Sequence, residues 1–330
     1  MSTNNPGSSG TRMEHPVWDI HCEHCWQAYP ILDKQALAIA YFRDNARLKC
    51  ADCSGLIDWW ASTLKSIKKV ETSTIHEICL PIGARRTTLQ TSLIPNKVTE
   101  INFAQTGIPD DAIILNINYN SMSKGGVSEG TGTLETVEIY QNPMFRRVDS
   151  QGAKFFGIPH GEPPYVDSEI LILVTWAPNT ANDESSQNLI NSFLYYIDNR
   201  YHGAVIAANA AVEARMSKLI ASFLHRSVPS KDNVEGFLKD GATYGHSLNV
   251  LLPALLSFTK APPLPDHIRG VLNRTRRLRN DLAHANITYD KVSEDDAAQA
   301  LCGAVFGLHY LGVVEPFLFK KLNKEAKKKK

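Results

Sequence analysis

Hydrophobic and polar positions in the C-terminal part of the chain follow a helical period. In the clearest segment, apolar residues recur every three or four positions: Leu264, Ile268, Val271, Leu272, Leu278 and Leu282. At 100° per residue, these side chains fill one sector roughly 120° wide. This spacing predicts an amphipathic helix with one face on a core. Three prolines, at positions 262, 263 and 265, precede the segment and suit a helix start.

The same spacing continues on both sides of this helix. Apolar residues over 189–223 predict a pair of helices or one kinked helix. Residues 248–258 predict a shorter helix, which Pro253 could bend. Ser293, followed by Glu-Asp-Asp, is typical of an N-cap that opens a last helix. Helices joined by short loops predict an antiparallel bundle over residues 179–319.

Residues 71–178 have a different pattern, in which short β-branched and apolar runs alternate with Pro, Gly, Asn and Asp. The runs span residues 75–82, 87–94, 98–103, 112–118, 133–140 and 169–176. Short strands without helical segments between them favour a β-sandwich or a small barrel. We therefore predict a central antiparallel, β-sandwich-like domain that senses or docks a ligand.

Two C-x-x-C pairs lie near the N-terminus, Cys22 with Cys25 and Cys50 with Cys53. Four thiolates in two such pairs can surround one tetrahedral Zn²⁺. We favour a structural zinc ion in a zinc ribbon of residues 15–70 over disulfides, which are rare in the cytosol. A redox-active cysteine pair is the alternative interpretation.

Trp59 and Trp60 follow the last cysteine. We favour packing of these side chains against the next domain, and a binding surface is the alternative. Together the patterns predict a multidomain α+β protein. Residues 1–14 are expected to be disordered, followed by the zinc ribbon, the β-sandwich-like domain, an all-α helical bundle and a basic tail at 320–330.

The net charge is distributed unevenly along the chain. The whole sequence carries +1, whereas residues 320–330 contain seven lysines and one glutamate, so the rest carries −5. Because the rest of the chain is mildly acidic, we do not expect it to bind nucleic acid over its whole surface, and any RNA contact is expected to be local. The sequence has no long uncharged apolar run and no signal-peptide pattern, so we expect a cytoplasmic protein without a membrane contact.

One arginine interrupts the apolar sector of the helix at 264–282. Arg279 falls inside that sector, and Arg276, Arg277, Asn280 and His284 fall on the polar side beside it. A guanidinium group keeps its charge and must be paired where it is buried. A structural salt bridge and a functional role are both compatible with this position.

Residues 279–284, Arg-Asn-Asp-Leu-Ala-His, resemble the R-N-x-x-x-H motif of the HEPN superfamily, whose members are helical and often metal-independent ribonucleases. The resemblance covers roughly residues 186–320. It implies a HEPN helical bundle, RNA cleavage that leaves a 2′,3′-cyclic phosphate, and pairing of two HEPN domains around one composite cleft. The expected partners are therefore RNA and a second copy of the chain. Such domains often serve in toxin systems and antiviral defence.

The resemblance also implies roles for single residues. Arg279, Asn280 and His284 would be catalytic, since histidine suits acid–base chemistry near neutrality and arginine suits phosphate. The neighbouring arginines would contact the RNA backbone with their positive charges; they are Arg274, Arg276 and Arg277. Glu213 and Asp281 would support the site, and we expect Glu213 to pair with Arg279.

Two other functions are compatible with these residues. The bundle could be a non-catalytic scaffold for dimerisation and for RNA or protein binding. Alternatively, the chain could be a regulator that binds nucleic acid through its zinc ribbon. The presence of arginine, asparagine and histidine together favours the nuclease.

Overall fold

A computed structural model gives the fold of this mixed α and β protein. It describes residues 13–14, 19–22, 24–25, 28–30, 34–43, 48–50, 52–69, 85–121, 141–147, 152–159, 163, 167–178, 183–227, 231–240 and 243–328. Contacts divide the chain into two compact units. The first comprises Met1–Val17 and Gly83–Asn179, and the second comprises Trp18–Ile82 and Thr180–Lys330.

The strands that the structure describes all pair in antiparallel fashion. They are β1 (Met13–Glu14), β2 (Asp19–His21), β3 (Ala28–Pro30), β4 (Leu48–Lys49), β5 (Leu56–Ile57), β6 (Arg85–Leu93), β7 (Val98–Asn102), β8 (Ile113–Ser121), β9 (Gln141–Arg147), β10 (Gly152–Pro159) and β11 (Ser168–Ala177). In the first unit, one sheet has the order β1-β6-β11-β8 and a second has the order β7-β10-β9.

A single buried cluster contains side chains from both sheets of the first unit. Ile172 and Val174 of β11 contribute from the larger sheet, and Phe155 of β10 contributes from the smaller one. Trp176, also in the cluster, donates its indole N–H to Thr87 Oγ1 at 2.9 Å, so its polar atom is satisfied. The two antiparallel sheets therefore share one hydrophobic core.

Four predicted strands are confirmed as β6, β7, β8 and β11. The predicted strands at 75–82 and 133–140 lie outside the described residues, and so do residues 1–12 of the segment 1–14 that was expected to be disordered. The last two residues of that segment, Met13 and Glu14, form β1 instead, so the prediction is wrong for them. Strands β9 and β10 were not predicted. Their sequences contain Pro143, Gly152, Gly157 and Pro159, which are residue types that normally argue against a strand.

The described helices all belong to the second unit, apart from one short 3₁₀ turn. They are α1 (Lys34–Arg43), α2 (Trp59–Lys69), α3 (Glu184–Ile197), α4 (Tyr201–Ser227), α5 (Lys231–Asp240), α6 (Tyr244–His246), α7 (Leu252–Thr259), α8 (Asp266–Ala283) and α9 (Glu294–Lys328). A π-helical turn, Ser247–Leu251, connects α6 with α7.

The bundle is built around α4 and α9, which pack on each other and on α3 and α8. Close approach requires a small residue in α9, because a Cβ atom at Gly303 would lie 2.8 Å from Val271 Cγ1 of α8. The predicted helix pair over 189–223 is confirmed as α3 and α4, and Asn199 between them adopts a positive φ of 58°.

The cysteine-rich segment belongs to the same unit as the bundle, since α1 and α2 both contact α9. This grouping differs from the predicted division, in which residues 15–70 form a domain of their own. Trp59 is a packing residue, as predicted, but it packs against the C-terminal bundle and not against the next domain along the chain: it is 1% exposed and lies 4.7 Å, centroid to centroid, from Phe306 of α9.

Helix α9 is longer than the sequence suggested. It continues to Lys328, whereas residues 320–330 were predicted to be a flexible tail. Lysine is a good helix former, and positive charge is favourable at a helix C-terminus. The window Glu294–Lys320 is long and apolar enough to cross a membrane by length and composition, but 83% of it is buried in the protein. The core position of α9 in the bundle accounts for that apolar composition.

Candidate functional site

Helix α8 carries the R-N-x-x-x-H motif at its C-terminal end. It begins after Pro265, as predicted, and buries Ile268, Leu272 and Leu282 of the predicted apolar stripe together with Thr275. The Thr275 hydroxyl donates to the backbone carbonyl of Val271 at 2.9 Å, which satisfies it inside the core. The helix is therefore held by the face that the spacing predicts.

The motif side chains lie at the surface where α8 ends. Arg279 is exposed, and its Nη1 donates to Asn280 Oδ1 at 3.1 Å. His284 is an exposed helix cap whose backbone N–H donates to the Asn280 carbonyl at 2.9 Å. Ala285 then turns the chain with a positive φ of 54°. Asn280 thus contacts both partners of the motif, one through its side chain and one through its backbone.

Arg279 does not lie on the buried face, so that prediction is wrong. Position 279 falls inside the apolar sector, yet its side chain is exposed, and Leu282 is the buried residue at this end of the helix. The long arginine side chain extends to water, because burial of an unpaired guanidinium is costly. The guanidinium remains accessible to a ligand.

Asp281 stabilises the turn that follows the motif. Its backbone carbonyl accepts from the Asn286 N–H at 2.8 Å, and its Oδ1 accepts from Asn286 Nδ2 at 3.3 Å. These contacts fix the chain direction directly after His284. The structure therefore gives Asp281 a supporting position next to the motif.

The three flanking arginines have different surroundings. Arg274 Nη2 lies 2.7 Å from Asp296 Oδ1 of α9. Arg277 is exposed on the surface of α8. Arg276 is the arginine that turns inward, and its Nε is buried without a hydrogen-bond partner among the described residues.

Glu213 does not pair with Arg279, contrary to the prediction. Its Oε2 accepts a hydrogen bond from Asn209 Nδ2, one turn earlier on α4, at 3.1 Å. Its charge acts on Tyr244 of α6 instead: burial and the Glu213 carboxylate raise the pKa of the Tyr244 phenol, and the Arg276 charge opposes them. Tyr244 thus stays a neutral hydroxyl at physiological pH. No feature of the sequence pattern placed these side chains together.

The four paired cysteines converge, as their spacing predicts. Their sulfur atoms all lie within 4.8 Å of one another. The Sγ atoms of Cys22 and Cys53 are 3.5 Å apart, and so are those of Cys25 and Cys50. A tetrahedral Zn²⁺ with Zn–S bonds of about 2.3 Å requires sulfurs about 3.8 Å apart, so the donor set and its spacing fit one such ion.

Backbone N–H groups donate hydrogen bonds to two of the four sulfurs, those of Cys53 and Cys22. The Gly55 N–H donates to Cys53 Sγ at 3.4 Å. Burial alone would raise the pKa of Cys22, but hydrogen bonds from the backbone N–H groups of Cys25 and His24 and with the Cys53 and Cys25 side chains outweigh it and lower the pKa to about 6. Cys22 is therefore a thiolate at neutral pH, which is the form that binds metal ions.

The cysteine-rich segment contacts the first turn of α8. The Tyr41 hydroxyl and His267 Nε2 lie 3.2 Å apart, and the Trp60 ring is 5.4 Å from the His267 ring. Burial raises the pKa of Tyr41 to about 12, with smaller contributions from Asp58 and Cys302. Burial also lowers the pKa of His267. The contact therefore involves a neutral phenol and a histidine biased towards its neutral form.

No protein-family model, no curated protein and no solved structure matches this chain.

Proposed function

We propose that this chain is a metal-independent endoribonuclease of the HEPN type, with its active site at the C-terminal end of α8. The observation that carries the proposal is the surface arrangement of Arg279, Asn280 and His284. The Arg279 guanidinium contacts Asn280 at 3.1 Å, and the exposed His284 caps the same helix end.

The three side chains have complementary roles in this reaction. His284 moves the proton of the attacking 2′-hydroxyl, because an imidazole nitrogen can accept a proton and donate it again. Arg279 binds the scissile phosphate and stabilises the charge that develops on it. Asn280 orients the guanidinium through its side-chain oxygen. Attack by the 2′-oxygen expels the 5′-oxygen of the next nucleotide and leaves a 2′,3′-cyclic phosphate.

The remaining features of the proposal concern the whole protein. The helices form a HEPN bundle, and two copies of the chain pair so that two motifs share one cleft. The two sheets of the first unit form a sandwich that regulates or targets the nuclease. The four cysteines hold a structural zinc ion, the protein is cytoplasmic, and its reaction suits a toxin or an antiviral effector.

A cleavage assay with matched variants tests the activity. Wild-type protein is expected to degrade RNA in EDTA, whereas His284→Ala and Arg279→Ala lose activity by about 100-fold or more. The control variant is His246→Ala, which removes an exposed imidazole outside the motif. The zinc content is measured after EDTA treatment, so that loss of a structural ion is not mistaken for loss of a catalytic one.

Cleavage products distinguish this reaction from contamination. The wild-type product should carry a 2′,3′-cyclic phosphate, which mass spectrometry detects as a species 18 Da lighter than the open monophosphate. Equal cleavage by the wild type and both motif variants would refute the assignment. In that case the bundle would be a binding scaffold.

A further inference from the structure

Three buried polar atoms on three different helices lack hydrogen-bond partners among the described residues. They are Asn209 Oδ1 of α4, Tyr244 OH of α6 and Arg276 Nε of α8. Asn209 and Tyr244 are 3% and 7% exposed. More than nine in ten buried polar groups in folded proteins are paired, so three such atoms on helices that meet in one cluster require an explanation.

These groups belong to one cluster, which we call the polar cluster: Asn209, Glu213, Tyr244 and Arg276. Asn209 donates to Glu213 at 3.1 Å. Both the Glu213 carboxylate and the Arg276 guanidinium act on the Tyr244 phenol. The guanidinium lies against the backbone next to Tyr244, because a Cβ atom at Gly245 would be 3.0 Å from Arg276 Nη1.

The segment that carries Tyr244 is fixed against α8 by its own contacts. Asn249, in the π-helical turn, exchanges two side-chain hydrogen bonds of 2.9 Å with Asn273 of α8. Asn249 Nδ2 also donates to the Gly245 carbonyl at 2.9 Å. Turns of π-helix occur frequently at functional sites. These contacts hold Tyr244 and Arg276 of the polar cluster next to each other.

The charges of the cluster restrict what it can bind. The Glu213 carboxylate repels a bare phosphate, and the permanently charged Arg276 repels a metal ion or an amine. A neutral group that offers hydrogen-bond acceptors and donors side by side satisfies both residues. Guanine has this pattern, since its O6 and N7 accept from an arginine and its N1–H and N2–H groups donate to a carboxylate.

The polar cluster lies close to the motif along α8. Arg276 precedes Asn280 by four residues and His284 by eight, which corresponds to about 6 Å and about 12 Å along the helix axis. Glu213 and Arg276 are both partly exposed, so a ligand can reach them from solvent. We propose that the polar cluster binds a guanine base of the RNA, one or two nucleotides from the cleaved phosphate. This inference rests on the proposed ribonuclease function.

The test uses the full chain and a set of uridine-rich oligonucleotides that differ at one position, which is guanosine, inosine or adenosine. We expect cleavage near guanosine to be about tenfold more efficient than near adenosine, measured as kcat/KM. Inosine lacks the 2-amino group that donates to Glu213 and should fall between them. Glu213→Gln and Arg276→Ala should both reduce the guanosine preference to about twofold or less.

Arg277→Ala is the matched control for Arg276→Ala, because it removes the same charge from an exposed neighbouring position. This substitution should lower kcat/KM equally for all three oligonucleotides and leave the preference for guanosine unchanged. Fluorescence anisotropy with His284→Ala gives a second readout that does not require cleavage, with about tenfold tighter binding expected for the guanosine oligonucleotide.

The outcomes separate the two proposals. Cleavage that depends on His284 but shows no base preference would overturn the guanine site and leave the nuclease assignment intact. A preference that persists in Glu213→Gln and Arg276→Ala would also overturn it. Absence of cleavage together with tighter guanosine binding would retain the base site and reject the nuclease.

Discussion

Asp296 connects the first turn of α9 with α8. Its Oδ2 accepts from the Ser293 backbone N–H at 3.2 Å and from Ser293 Oγ at 2.6 Å, and its own N–H donates back to Ser293 Oγ at 3.1 Å. Arg274 adds a charged contact on Oδ1. Burial alone would raise the pKa of Asp296, but the Ser293 hydrogen bonds and the Arg274 charge outweigh it and hold the pKa below its usual range.

Replacement of this carboxylate should give a pH-dependent loss of stability. Because its pKa is depressed in the folded state, ionised Asp296 stabilises the fold above the unfolded pKa of about 3.9, and this stabilisation disappears as the pH falls through the folded pKa. We expect Asp296→Asn to lower the free energy of unfolding by about 0.5–1 kcal/mol at pH 7. Urea denaturation at pH 7 and pH 3 measures the difference. A penalty of equal size at both pH values would contradict this explanation, and Asp290→Asn provides an exposed acidic control.

The arginines of α8 show what periodicity can and cannot locate. The spacing of apolar residues predicted the buried face of the helix. It did not predict that Arg276 rather than Arg279 turns inward. That difference depends on Gly245, which is distant in sequence and leaves room for the Arg276 guanidinium. Helical periodicity describes one helix, whereas the direction of a long side chain depends on its neighbours.

Helix α2 is attached to the bundle through aromatic packing. The Trp59 ring lies 5.2 Å from Tyr41, 4.7 Å from Phe306 and 5.6 Å from His309, measured between centroids. Tyr41 and Phe42 of α1 extend the same cluster towards α9. Aromatic rings from both α1 and α2 therefore join the cysteine-rich segment to the bundle.

Removal of the central ring should destabilise the second unit. We expect Trp59→Ala to lower the free energy of unfolding by about 3–5 kcal/mol, because a buried aromatic leaves a large cavity. The half-buried Trp60 serves as the comparison, and Trp60→Ala should cost clearly less. Chemical denaturation followed by circular dichroism at 222 nm measures both. Equal effects of the two substitutions would show that the packing is not centred on Trp59.

Some elements were not predicted from the single sequence. Helix α5 has apolar residues at helical spacing, Val234, Phe237 and Leu238, but it is short and mostly polar and was missed. The π-helical turn that positions Tyr244 differs from an α-helix by one extra residue per turn, which a short apolar run cannot indicate. Strands β9 and β10 contain proline and glycine that tertiary pairing tolerates. The motif was predictable because three residues define it, whereas the polar cluster comes from three separate helices.

At the level of the whole molecule, metal binding should contribute to stability. We expect the purified protein to contain one equivalent of zinc and the double variant Cys22→Ser/Cys53→Ser to contain none. Loss of the ion should lower Tm by on the order of 10 °C, because the metal supplies folding free energy to the segment that carries α1 and α2. Metal analysis and differential scanning calorimetry measure both effects. Cys302→Ala, which removes a buried cysteine outside the cluster, should retain the zinc.

The proposed pairing of two chains predicts the mass of the active species. If two motifs share one cleft, the active species should have about twice the chain mass of 36.6 kDa. Light scattering coupled to size-exclusion chromatography measures this mass, and activity should fall upon dilution below the dissociation constant of the dimer. Full activity in a species of single-chain mass would rule out a composite cleft.

The contact between Tyr41 and His267 places the cysteine-rich segment at one end of α8 and the motif at the other. Seventeen residues separate His267 from His284, which is a distance of about 25 Å along a continuous helix. Because a helix of this length is stiff, a tilt of about 10° at its first turn would displace its other end by roughly 4 Å. If the proposed function is correct, a small rearrangement around the sulfur atoms would thereby be amplified into a displacement large enough to misalign the His284 imidazole with a bound phosphate.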